Sequence, residues 1–462
     1  MSRHNIVFIK GDGIGPEIGD AVEKILSEAN APIEWIYADA GMTALHKHGN
    51  PLPTATLDAI KKYGIGLKGP TETPIGSGHK SVNVTIRKSL DLYANVRPVK
   101  SLPGVETPFN NVDMILVREN VEDTYGGIEN FQTPSVAQCL KIITRPGSIK
   151  VCRYAFEIAR SQNRKKVTCV HKANIHKLSD GLFLECFREV ALEYPDIQAE
   201  DALVDNASMQ FVKNPERFDV LVKPNLYGDI LSDIAAGLVG GLGVAPGANI
   251  GDNLAVFEAV HGSAPDIAGK NLANPTALLL SAITMLRHIF EFQIADKIER
   301  ALKQTLQEGI KTKDLGGSAS TSEFTTEITQ RLDHNTLQHQ DPHKVLRIKI
   351  DSDAVLASKV KEIKLVGVDV YIQHQGLPPV SNKIGKFKLH TISNRGTKVY
   401  PGELPNILLV DWFHCRFFSD SEIHENDICE LISEISKKFR WMHIEKIFEF
   451  DGKPAFSKSQ GE

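Results

Sequence analysis

Over the first 330 positions, short unbroken apolar runs alternate with longer stretches in which apolar residues recur every three or four positions. Residues 5–9 form the first run. A glycine loop follows over 10–15, and from Pro16 onward Ile18, Val22, Ile25 and Leu26 fall at helical spacing, which predicts strand, loop, helix. Residues 64–67, 113–117, 166–171 and 219–222 repeat the short-run pattern between amphipathic stretches. Such alternation predicts an α/β fold with parallel, buried strands. Past Leu332 the texture changes. The stretch DHNTLQHQDPH is polar and carries His334, His339 and His343, so residues 331–362 read as a linker. Beyond it, 365–373, 386–392, 408–417 and 444–450 read as strands. Residues 421–437 read as a helix with Ile428, Leu431, Ile432 and Ile435 on one side, giving a small C-terminal α/β domain over 363–462.

Composition narrows the function. The chain has 462 residues, 42% hydrophobic and 24% charged, enough for two or three domains with ordinary cores. Fifty-three basic against 57 acidic residues leave a formal charge of −4 with no basic block, which argues against nucleic acid as a partner. The most apolar window, 277–286, is too short to span a bilayer and is closed by Arg287 and His288, so no membrane span is expected. The opening MSRHNIVFIKGDG lacks the apolar core of a signal peptide. Six cysteines without a C-x-x-C pair suggest reduced thiols, and a cytoplasmic location is expected.

Gly11, Gly13 and Gly15 invite a dinucleotide fingerprint, with Asp39 about where a ribose-binding acid would stand. G-x-G-x-x-G requires glycine at 16, where this chain has Pro16, so the plain reading is a tight strand-to-helix turn. More chemistry lies downstream. Arg87, Arg97 and Arg118 suit a substrate with several carboxylates, because a guanidinium donates two parallel hydrogen bonds and stays charged. Asp229 and Asp233 are four residues apart, so on a helix both point to one face, and a divalent cation would relieve their repulsion. Oxygen ligands suit Mg²⁺ or Mn²⁺ rather than zinc.

These segments together resemble the isocitrate/isopropylmalate dehydrogenase family. GDGIGPEI is similar to the family's opening, and the resemblance runs from about residue 5 to 332. It implies two α/β domains around a deep interdomain cleft. Residues 1–97 with 251–330 would form the large, cofactor-side domain, and 98–250 the small domain with the dimer interface and metal site. In the S-x-N-x-x-x-R run, Ser81, Asn83 and Arg87 would bind substrate with Arg97 and Arg118. Isopropylmalate-specific members line this region with leucines, so these polar residues favour isocitrate, since a site built for polar partners rejects apolar analogues. EDTYGG and VHKANIHK match the catalytic tyrosine and lysine at Tyr125 and Lys172, with Asn174 beside substrate. NLYGDILSD and VDNASMQ match the metal ligands Asp229, Asp233 and Asp205. The resemblance further implies a homodimer whose active sites are shared, with Lys172 and Asp205 supplied by the neighbouring subunit.

FEAVHGSAPDIAGKNLANP resembles the family's adenosine loop, implying cofactor contacts from His261, Gly262 and Asn274, with Lys68 and Thr73 near the nicotinamide. Asp266 and Ile267 stand where NADP-dependent members usually carry Lys and Tyr. An aspartate accepts a hydrogen bond from a ribose 2′-hydroxyl but repels a 2′-phosphate. Two unit charges 4 Å apart at an effective dielectric of 20 cost about 4 kcal/mol, roughly a thousandfold in affinity. The expected cofactor is therefore NAD. Residues 364–462, with VGVDVYIQ and HTISNRGTKVYPGE, resemble the extra C-terminal domain of the longer bacterial, Thermus-type members. Phe439, Trp441 and Phe448 read there as core or interface, and the domain as a stabilising or oligomerising appendage. The activity implied is metal-dependent oxidative decarboxylation of isocitrate to 2-oxoglutarate and CO2. The alternatives are a homoisocitrate or tartrate-type enzyme, or a non-catalytic regulatory subunit, which should have lost some of these residues.

Overall fold

Two large sheets and a two-stranded hairpin organise residues 3–73, 80–332 and 360–462, which are the residues described in this computed structural model. The predicted linker and its three histidines fall largely outside them. Two compact units result: the second takes Gly126–Lys141, His176–Ser179 and the residues from Val360 on, and the first takes the rest.

The first unit is built on strands β1 (His4–Ile9), β2 (Ile33–Tyr37), β3 (Ile65–Lys68), β4 (Ala94–Lys100) and β5 (Asp113–Glu119). After a separate hairpin of β6 (Glu129–Thr133) and β7 (Val136–Cys139), it continues through β8 (Lys166–His171), β9 (Gln198–Leu203), β10 (Val220–Lys223), β11 (Pro246–Ile250) and β12 (Ala255–Ala259). Their order is β2-β1-β3-β12-β11-β4-β5-β10-β8-β9. Pairing is parallel toward both edges and antiparallel only at β12-β11, β11-β4 and β4-β5, so the sheet joins two parallel halves that run in opposite directions. The predicted boundary between 97 and 98 falls inside β4.

Apolar runs mark the buried parallel strands as expected, 166–171 to the residue. The central strands β4 and β11 were not anticipated, because ANVRPVK and PGANI carry polar residues and prolines where a buried strand usually reads Val and Ile. The glycine loop is the tight turn expected, with a helix over Gly15–Glu28 and proline in its first turn. Gly13 has φ +58°, and a Cβ there would lie 1.9 Å from the Ser263 carbonyl oxygen, so only glycine lets these two loops close.

The second unit is a mostly antiparallel sheet of β13 (Ile363–Gln373), β14 (Lys383–Ile384), β15 (Phe387–Asn394), β16 (Thr397–Tyr400), β17 (Trp412–Phe418), β18 (Arg440–Phe450) and β19 (Lys453–Pro454). Val368, Val370, Phe413, Cys415 and Phe417 cluster with Ile428, Leu431 and Ile435 of the helix Glu425–Ser436. That helix starts four residues later than its pattern suggested, where His424 and Asp427 form a capping box. Strand β17 likewise begins at Trp412 rather than 408, since Leu408 is largely exposed. No described helix is long and apolar enough to cross a membrane, and all six cysteines are free thiols.

Asp411 fastens the β6-β7 hairpin into this unit. It accepts hydrogen bonds from Thr133 Oγ1 at 2.9 Å, Ser135 Oγ at 2.5 Å and Gln373 Nε2 at 2.9 Å, and His443 Nδ1 lies 2.9 Å from Gln132 Oε1. The Ser135 bond leads in holding the Asp411 carboxyl below the usual carboxylate range. Asp411→Ala should therefore speed amide hydrogen exchange across Glu129–Cys139 while leaving the ten-stranded sheet unchanged; equal hairpin protection in both proteins would refute this tie.

Candidate active site

Register places a row of polar side chains on one face of the ten-stranded sheet. Lys68 pairs with Glu258, Asn249 with Asn95, Asn95 with Arg118 and Arg118 with Lys223, while Arg97 lies two residues beyond Asn95 on the same side. All of these are buried. Glu258 neutralises one end: Oε2 lies 2.9 Å from Lys68 Nζ, and Oε1 accepts from Arg87 Nη2 at 2.9 Å and Asn249 Nδ2 at 2.8 Å. Burial opposes its ionisation, but Lys68 and Arg87 prevail and hold the carboxyl far below its ordinary range.

At the other end, Arg118 donates from Nε and Nη2 to Asn225 Oδ1, at 2.9 and 2.7 Å, and from Nη1 to Asp229. Arg97 donates to Asn95 Oδ1 at 2.8 Å and to Ser232, and lies 3.5 Å from Asp229 and 3.6 Å from Asp233. Asn225, Asp229, Ser232 and Asp233 all come from the helix Asn225–Leu238, so its one face organises both guanidiniums. Gly228 permits this approach, since a Cβ there would lie 2.3 Å from Arg118 Cγ. Burial and the mutual repulsion of the arginines bring the Arg97 guanidinium down to about 10, still charged at neutral pH.

The Tyr125 hydroxyl donates to Asp229 Oδ2 at 2.5 Å, and the Arg118 guanidinium sits 4.8 Å from its ring centre. Burial foremost, then the bond to Asp229, outweigh Arg118 and raise the phenol, so it holds its proton at neutral pH. For Asp229 the order reverses: burial would raise it, yet Arg118, the Tyr125 bond and Arg97 keep it ionised. Asp233 is instead raised, by burial and by the charge of Asp229, against Arg97. That is the like-charge strain a divalent cation relieves, and oxygen donors one helical turn apart suit such an ion.

The remaining predicted residues fall into separate places. Lys172 Nζ lies 2.7 Å from Asp205 Oδ1, and this bond holds the exposed Asp205 carboxyl low. Asp205 does not join Asp229 and Asp233, since among the described residues no three His, Cys, Asp or Glu side chains gather as a metal set. Asn174 is exposed. Ser81 caps the helix Val82–Ser89 by accepting from Val84 N, and Asn83 Oδ1 accepts from Thr71 at 2.8 Å. Lys68, only 2% exposed, is occupied by Glu258 and the Gly69 carbonyl. Thr73 and Gly262 are exposed. Asn274 donates to Asp314 Oδ2 at 2.9 Å and accepts from Thr276 N, and so joins two loops. His261 Nε2 is buried without a hydrogen-bond partner among the described residues, and burial lowers the imidazole. Asp266 is exposed and makes no ion pair among the described residues, and Ile267 is half-buried. Asp39, the would-be ribose acid, pairs with Lys47 and His48.

Sequence reasoning missed Glu258, Asn95, Asn249, Ser232, Asp314 and Lys223. Asp12 was missed as well, although its carboxylate accepts from the backbone of Met42, Thr43 and Glu72 and so ties three loops together. For Glu258 and Lys223 a signal existed: a charge inside an apolar strand run, in VFEAV and VLVK, must be paired or neutral.

Comparison with known proteins gives the same outline. Residues 5–328 match the isocitrate/isopropylmalate dehydrogenase family, and residues 363–462 match the bacterial isocitrate dehydrogenase C-terminal domain. An NADP isocitrate dehydrogenase of Thermus thermophilus is 48% identical over 100% of this chain and 96% of its own. A crystal structure of a Thermus thermophilus protein superimposes with a TM-score of 0.95 at 48% identity, covering 100% of this chain and 96% of that one. A probable NAD isocitrate dehydrogenase alpha subunit from the mitochondria of Drosophila melanogaster is 54% identical over 71% of this chain and 87% of its own.

Glu258→Gln should leave Lys68 and Arg87 buried without their counter-charge, a loss of about 3–5 kcal/mol. Because the folded carboxyl is depressed, its stabilisation is present above the unfolded value of about 4.3 and is lost as pH falls through the folded value. Denaturant unfolding should show the deficit at pH 7 and a narrowing gap below about pH 4. Equal stability at pH 7 would refute the bridging role.

Proposed function

The chain belongs to the isocitrate/isopropylmalate dehydrogenase family, and on that footing we propose that it oxidatively decarboxylates isocitrate with NAD and a divalent metal, as a homodimer. The observation that carries this reading is the convergence of Arg97 and Arg118 on Tyr125, Asp229 and Asp233, with Arg87 close enough that its charge acts on both Arg118 and Asp229. Three guanidiniums suit a tricarboxylate. The Ser81 hydroxyl proton and the Asn83 amide protons are available to a polar substituent, because among the described residues only their oxygens are engaged.

Tyr125 keeps its proton at neutral pH and can deliver it from Oη to the enolate left by loss of CO2. Lys172, from the neighbouring subunit, is the group suited to relay the proton of the C2 hydroxyl. Asp229 and Asp233, with Asp205 of the neighbouring subunit, would hold Mg²⁺ or Mn²⁺. Such an ion supplies Lewis acidity at the C2 oxygen, and a nicotinamide supplies the hydride acceptor.

For the cofactor, the unpartnered His261 Nε2 offers a ring nitrogen to an adenosine, and the exposed Asp266 carboxylate disfavours a 2′-phosphate. Relatives over the full length carry NADP in their names and relatives over the first unit carry NAD, and the NAD reading proposed here rests on Asp266 and Ile267.

Appearance of reduced nicotinamide should be fast with isocitrate, Mn²⁺ and NAD, slow with NADP, and negligible with isopropylmalate. Turnover with NADP alone would overturn the cofactor assignment, and preference for homoisocitrate would overturn the substrate. Asp266→Lys with Ile267→Tyr should shift the NADP to NAD ratio of kcat/KM upward by a factor of about 10² or more. An unchanged ratio would remove Asp266 from specificity.

A further inference from the structure

Lys223 closes strand β10 with no exposure at all, and its Nζ has no hydrogen-bond partner among the described residues. Its register partner is Arg118, so both side chains rise from the same face of the sheet, the face that also carries Arg97. A buried ammonium without an acceptor is among the costliest groups a fold can hold, and a neutral amine in the same place costs far less.

The charges acting on Lys223 are identifiable element by element. Arg97 from β4 and Arg118 from β5 both oppose its ionisation. The helix Asn225–Leu238, packed on β5 and β10, carries Tyr227 and Asp229, and Asp229 is already shared by Arg118, Arg97 and Tyr125. Strand β8, paired with β10 through Val167, Thr168 and Cys169, brings no charged side chain to that register. Burial first, and the two guanidiniums second, depress the amine well below its ordinary value.

Resting on the tricarboxylate reading of the clamp, we propose that Lys223 is its reserve cation: neutral while the clamp is empty, it takes one proton from solvent when a polyanion occupies Arg87, Arg97 and Arg118. Bound carboxylates offset the repulsion that Arg97 and Arg118 add to burial in keeping the amine neutral. Because Lys223 is wholly buried and interacts with the charges of Arg97 and Arg118, it acts through them and is a positioning residue rather than a catalytic one. Linkage fixes the sign. A group protonated on binding makes affinity highest below its empty-site pKa, and that advantage is lost as pH rises through the occupied-site value.

Lys223→Met keeps an unbranched side chain only one atom shorter and removes the proton site, so it should fold at least as stably as wild type. Calorimetric titration of wild type and variant with isocitrate and Mn²⁺, in two buffers of different ionisation enthalpy, reads the proton count. Wild type should take up as much as one proton more than Lys223→Met. The variant's KM for isocitrate near neutral pH should rise on the order of tenfold, with kcat within about twofold, and the KM should lose one step of pH dependence. Equal proton counts and parallel KM–pH profiles in the two proteins would overturn the proposal. A wild type that does not turn over isocitrate would instead overturn the substrate reading on which it rests.

Discussion

The crowding of cations on one buried face of the sheet is the constraint around which the first unit is arranged. Lys68, Arg87, Arg97 and Arg118 stand within a few strands of one another, with the Lys223 amine beside them, where low polarity makes like charges repel strongly. Among the described residues three carboxylates, Glu258, Asp229 and Asp233, are placed among them at ion-pair distance or closer. Glu258 is wholly spent on Lys68 and Arg87. Asp229 is divided between two guanidiniums and a phenol. The cluster is therefore short of negative charge, and such a shortage inside a fold is what a polyanionic ligand would relieve.

This imbalance accounts for the unusual centre of the sheet. Strands β4, β11 and β12 bring Asn95, Asn249 and Glu258 into positions that apolar residues would fill in a purely structural sheet, and their amides link one to the next: Asn95 Nδ2 to Asn249 Oδ1 at 2.8 Å, Asn249 Nδ2 to Glu258 Oε1 at 2.8 Å. Each amide passes a donor along the row and receives one, so buried polar atoms are satisfied without adding net charge. Asn120 joins through a bond to Asn249 at 3.0 Å. The antiparallel strands in the middle of an otherwise parallel sheet bring the two halves into contact at these residues.

Much of this was legible in the sequence, and what was not has a physical cause. Periodicity locates β1, β3, β5, β8 and β10 because buried parallel strands are apolar on both faces. It is silent on β4 and β11 because the polar row replaces half of their apolar residues. The segments around Arg118, Tyr125 and Asp229 were readable as chemistry, and the structure brings those three into contact. Lys68 was read toward the cofactor, yet its ammonium lies inside the fold on Glu258. A lysine in a motif does not reveal from spacing alone whether its partner is a ligand or a buried carboxylate 190 residues away. The β6-β7 hairpin posed the same problem. Its pairing with the C-terminal unit depends on Asp411, far away in sequence and unremarkable in pattern.

The division of the candidate residues into two groups follows from the same charge accounting. Asp205 is satisfied by Lys172, and neither makes a bond to the Arg118, Tyr125 and Asp229 group among the described residues. A lysine held by an exposed carboxylate on its own chain is a neutral pair that costs little to carry. The arginine group is not neutral and gains from any added negative charge. Bringing a second copy's Lys172–Asp205 pair against it would supply a carboxylate where charge is lacking and a lysine where a proton acceptor is wanted. A divalent cation between Asp205 and the Asp229–Asp233 pair would free Lys172 from its carboxylate. In this proposed arrangement, assembly, metal binding and the freeing of the Lys172 amine would be one coupled event.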